Sequence, residues 1–114
     1  MAIEFHPPDS LEQIGAMQER MQAACQALGL EGLAAEPVLA GGVAAWSALV
    51  LAGGRVFLLS LGRSAQDLGL SLTCDLEGQA TPPGLVPALF CPPAKGAVLR
   101  RQGRRAVFQI TWEL

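Results

Sequence analysis

The sequence predicts an α+β domain: an N-terminal amphipathic helix packed on a mainly antiparallel five-stranded sheet, in the order α-β-β-β-α-β-β. Three observations carry that class. Apolar residues recur at steps of three and four from Leu11 to Leu28, the period of one helical face. Alternation of apolar and polar residues marks 68–78 and, but for Val107, 105–114, the period of a half-covered strand. Glycine turns at Gly53-Gly54 and Gln102-Gly103 separate strand-like runs closely enough for hairpins.

The helix over Ser10 to Leu28 carries Leu11, Ile14, Met17, Met21, Cys25 and Leu28 on one stripe, with Gln13, Gln18, Glu19, Arg20 and Gln22 opposite. Pro7 and Pro8 bar an earlier start, and residues 1–8 read as a flexible tail. Asp9 or Ser10 caps the first turn, Gly29 supplies the left-handed residue after the last, and Leu30 folds back on it. A connector over 31–42 ends in two glycines. Strands follow at 44–52, 55–62 and 68–78; in the third, Leu70, Leu72, Cys74 and Leu76 face inward. The stretch 81–93 predicts a short helix, because Leu85, Val86, Leu89 and Phe90 have helical spacing and Pro87 is tolerated only in a first turn. The chain closes in a hairpin with Gln102-Gly103 as its loop, so that Arg101 opposes Arg104, Arg100 opposes Arg105 and Leu99 opposes Ala106.

A chain of 114 residues forms a single domain, 1–114, able to bury a core without staples. Half of the residues are hydrophobic and 16% are charged, which argues against disorder. The net charge of −2 argues against a duplex-binding protein, whose affinity rests on many neutralised phosphates. Cys25, Cys74 and Cys91 are far apart and set among apolar residues, as buried thiols of a reducing compartment; a cytoplasmic bacterial protein fits. No secretory signal opens the chain. The uncharged run from Val38 to Gly54 is shorter than a spanning helix and carries four glycines, so it reads as two buried strands rather than a membrane span.

Catalysis finds little support. His6 lies beside prolines in the tail, Asp75 and Glu77 share the wet face of a strand, and Cys74 alternates with core leucines. No metal-ligand cluster, phosphate loop or cofactor motif is present, so no catalytic residue, metal or cofactor is expected. Arg100, Arg101, Arg104 and Arg105 crowd the hairpin tip, and a basic ribbon can enter a groove. Phe108 and Trp112 fall on the apolar face, however, and leave no aromatic beside the charge for stacking on a single strand. The arginines read as a solvated tip. The apolar surplus in 44–62 is the more telling feature, because another chain can cover it.

The stretches "GGRVFLLSLG", "LGLSLTCDLEG", "PPGLVPALF" and "GAVLRRQGRRAVFQITWEL" resemble, in order, the second strand, third strand, dimer helix and closing strands of the small type III secretion chaperones, the Tir-chaperone-like class. The similarity is strongest from Gly53 to Leu114, and "LGLEGL" echoes the ending of the family's first helix. The resemblance implies a non-enzymatic cytoplasmic chaperone, a homo- or heterodimer, that holds an extended segment of a secreted protein. On that expectation Val86, Leu89 and Phe90 lie at a subunit interface, and Trp46, Leu49 and Leu51 line the partner surface. The alternatives are a structural or assembly subunit of a bacterial secretion or pilus machine, and a nucleic-acid-binding hairpin.

Overall fold

In the computed structural model, which describes residues 2–77 and 94–114, Ala2–Phe5 form β1, Ile14–Ala27 form α1 and Glu36–Leu51 form α2. Arg55–Arg63, Asp67–Asp75, Gly96–Gln102 and Arg105–Glu113 form β2 to β5. The fold is α+β, with one five-stranded sheet in the order β1-β2-β3-β5-β4 and every pairing antiparallel. Both helices precede β2, so the predicted element order is corrected to β-α-α-β-β-β-β among the described residues. The short helix expected at 81–93 lies outside the described residues.

α1 buries the predicted stripe at Met17, Met21, Cys25 and Leu28, whereas Ile14 in its first turn is 41% exposed. Ser10 opens it through a 3-10 turn at Leu11–Gln13, its hydroxyl accepting from the Glu12 N–H at 3.2 Å. The helix closes at Gly29, whose φ is +76°, with Gly29 N–H donating to Gln26 O and Leu30 N–H to Cys25 O. That pair of bonds is the Schellman arrangement, and it folds Leu30 into the core. Arg63, at the end of β2, donates to Leu28 O at 2.6 Å and so satisfies a carbonyl at the negative end of α1.

The strand expected at 44–52 is instead the second half of α2. An uncharged run has no polar face to reveal its period, so strand and helix look alike in it until length decides. Val38, Gly42, Ala45, Trp46 and Leu49 are the buried positions, at helical spacing, and Pro37 sits in the first turn. The glycines read as breakers lie inside the helix because the packing is close there. A Cβ on Gly41 would come 2.7 Å from Cζ2 of Trp112, and one on Gly42 would come 2.6 Å from Cε of Met21. Gly53, at φ +80°, does turn the chain, but it ends α2 with a second Schellman pair: Gly53 N–H to Val50 O and Gly54 N–H to Leu49 O.

The predicted tail is also corrected: Ala2–Phe5 pair with β2 from Leu59 to Gly62, forming one edge of the sheet. The segment after it is tied down by Trp46, whose indole N–H donates to Pro8 O at 2.9 Å. In the closing hairpin the loop is Gly103-Arg104, one residue later than expected. Gly103 takes φ +64° as the first loop residue, which suits a type II′ turn. Arg101 therefore opposes Ala106, Arg100 opposes Val107 and Leu99 opposes Phe108, and no two arginines face each other.

α2 lies on one face of the sheet and α1 packs against α2. The covered face supplies Leu59, Leu61, Leu68, Leu70, Leu72, Cys74, Ala106, Phe108, Ile110 and Trp112 to the core. Among the described residues no polar side chain is fully buried. The other sheet face carries Ser60, Ser71, Thr73, Gln109 and Thr111 on its central strands.

Candidate functional site: the outer surface of the helix layer

Helix α2 bears no charge after Glu36; the next charged residue in the chain is Arg55. One side of it is consumed by the core. On the other, Leu39, Val43 and Val50 are half-buried and Ala40, Ala44 and Leu51 are exposed. A surface helix typically carries charged or polar residues on the side opposite the core, and this side of α2 carries none that is charged. Between α2 and α1 the surface sinks into a groove of about 430 Å³ lined by Leu39, Ala40, Val43 and Ala44, with Gln18 and Gln22 of α1 on its far wall. The helical stretch Gly32–Leu51 is long and apolar enough, by length and composition, to cross a membrane; in this fold one side of it is buried against sheet and helix.

The sequence-predicted partner residues divide. Trp46 and Leu49 are fully buried beneath α2 and present nothing to another chain, whereas Leu51 is 74% exposed at the helix end. The reason is the change from strand to helix: a strand over 44–52 would have placed Trp46 and Leu49 on opposite faces, but a helix turns both inward. The interface residues Val86, Leu89 and Phe90 lie outside the described residues. The surface positions Leu39, Val43 and Ala44 escape the sequence reading, because in an uncharged run the buried positions Val38, Gly42, Ala45 and Leu49 do not stand out from their neighbours.

At the hairpin tip, Arg104 pairs with Glu77 at 3.0 Å and Arg105 with Asp75 at 3.2 Å, both pairs largely exposed. Asp75 and Glu77, the candidate carboxylate pair, are thus each engaged by an arginine. Arg101 donates to the carbonyls of Leu76 and Gly103 and braces the turn. Arg100 stands exposed on the sheet face opposite the helices.

Burial pushes the Cys74 thiol up to about 11; the Asp75 carboxylate adds to the rise, while Arg101 and Arg105 oppose it. Burial likewise raises Cys25. Thiols held neutral in this way are poor nucleophiles. The carbonyl of His6 accepts from the Arg20 guanidinium, which ties the start of the chain to α1. Among the described residues no group of three histidine, cysteine or acidic side chains is placed to hold a metal ion. No family model matches the chain, and no curated protein matches it significantly.

Proposed function

We propose that this chain is a non-enzymatic protein-binding domain that holds an apolar segment of a protein partner on the outer surface of α2. The observation that carries the reading is the uncharged, outward-facing Leu39–Val43–Ala44–Leu51 surface with its groove against α1. Burial of apolar area supplies the affinity there, and no bond chemistry is required.

Within that class, the resemblance of 53–114 to small type III secretion chaperones supports a cytoplasmic domain whose client is an extended segment of a secreted protein, with dimerisation through Val86, Leu89 and Phe90. A permanent subunit of a secretion or pilus machine would use the same surface. Two successive helices between β1 and β2 depart from the element order of those chaperones, so the α2 surface, rather than the family pattern, is the ground for the proposal.

A fluorescent leucine-rich peptide, compared with a serine-substituted version, tests it. The leucine-rich probe is expected to bind, and Val43→Glu to weaken binding by at least about tenfold while the melting curve is unchanged. Equal binding of both probes, or of wild type and V43E, overturns the reading.

A further inference from the structure

The outer edge of β4 is a second surface, on the side of the molecule that the helices leave uncovered. β4 ends the strand order, and among the described residues nothing pairs with its outer side, so alternate N–H and C=O groups along Gly96–Gln102 point outward. The charged residues of β4 and its flanking positions are all basic. Lys95, Arg100, Arg101, Arg104 and Arg105 are all of the charged residues between Glu77 and Glu113. Lys95, Arg104 and Arg105 are matched by Asp67, Glu77 and Asp75, and Arg101 braces the turn. Arg100 instead stands beside a groove of about 400 Å³ that runs over Val98, Gln109 and Thr111, where Gly69 and Gly96 leave the sheet bare. A Cβ on either glycine would meet only open space, so neither is required by packing within the described chain.

Three occupants can be weighed on these observations. A second copy pairing β4 with β4 would bring two Arg100-Arg101 pairs together with no carboxylate on the strand to offset them. A nucleic-acid strand would lack a stacking platform, because no aromatic residue occupies the uncovered face among the described side chains of the sheet. An extended protein segment bearing carboxylates satisfies both the open main-chain groups and the charge.

We propose that the outer edge of β4 receives such a segment as a sixth strand, with Arg100 binding one of its carboxylates. This site is separate from the α2 surface and does not depend on it. The groove beside Arg100 then takes the side chains that alternate towards the uncovered face.

The probe is a short β-forming peptide with glutamate at every second position, titrated by fluorescence anisotropy. It is compared with its glutamine version, with a version N-methylated at alternate residues, and with a thymidine oligonucleotide. The glutamate peptide is expected to bind with an affinity that falls as salt rises. Glutamine replacement, N-methylation and Arg100→Glu are each expected to weaken it by at least about tenfold, while Val43→Glu leaves it unchanged. Absence of binding up to about 1 mM overturns the proposal. So does equal binding of the glutamate and glutamine peptides, indifference to N-methylation or to R100E, or tighter binding of the oligonucleotide. Loss through V43E would place the peptide on α2 and overturn the β4 site alone.

Discussion

Cys74 lies on the covered face of β3, alternating with Leu70 and Leu72, and its sulfur is shielded from solvent completely. An ionised thiol at that position would have a charge in the core, so the fold holds the neutral form up to a pH of about 11 against an ordinary value of 9.0. Between those two values the unfolded chain loses this proton and the folded chain keeps it, so the contribution of Cys74 to stability is constant below about pH 9 and falls as pH rises towards 11. The loss is on the order of 2–3 kcal/mol over that window. Denaturant titrations at stepped alkaline pH should show a steeper decline for the wild type than for Cys74→Ala, after allowing for the variant's lower starting point. Parallel declines would show that the thiol is not held neutral by the fold.

At the scale of elements, the seat of α2 on the sheet explains why two glycines are tolerated in mid-helix. Gly41 lies against the rigid indole of Trp112, which itself belongs to the sheet, so an added methyl group has no flexible neighbour to displace. Helix propensity favours Gly→Ala by up to about 1 kcal/mol, and overpacking opposes it by about 1–3 kcal/mol. Gly41→Ala is therefore expected to destabilise by about 1 kcal/mol. Gly15→Ala in α1, where a Cβ meets nothing within 4 Å, is expected to stabilise by about 0.5 kcal/mol. Chemical denaturation of the two variants checks both signs, and a stabilised G41A would mean that α2 sits further from β5. The same elements show what was legible in the sequence. α1, β3 and β5 each have one wet and one dry face, and their periods can be counted. α2 has no such contrast, so its glycine pair read as a turn and its surface residues were missed. The Gly103 turn slipped by one position because a two-residue loop admits glycine in either place, yet the inward set of Leu99, Ala106 and Phe108 was unaffected.

Across the whole molecule, charge and covering follow the same division. Through Gly54 the chain has six carboxylates and one arginine; from Arg55 onward it has seven cations and four carboxylates. The helix layer thus carries a net negative charge, and the hairpin end of the sheet is basic. The N-terminal segment joins the two layers. Ile3 and Phe5 pack against the core from the sheet edge, β1 completes the pairing of β2, and Pro8 satisfies the indole N–H of Trp46 beneath α2. A four-residue strand followed by two prolines has too little pattern to be recognised, and its partner lies far along the chain, so it read as a tail. Its removal provides a test at the scale of the whole fold. Deleting residues 1–8 strips the pairing from β2, exposes apolar area around Leu59 and Leu61, and leaves the buried Trp46 N–H unsatisfied. The truncated chain is expected to lose at least about 3 kcal/mol, read as a lower denaturant midpoint, and to expose the Cys25 and Cys74 thiols to a labelling reagent more readily. A truncated chain with the wild-type midpoint would return residues 1–8 to the role of a dispensable tail, and would place the stability of the domain entirely between α2 and the four long strands.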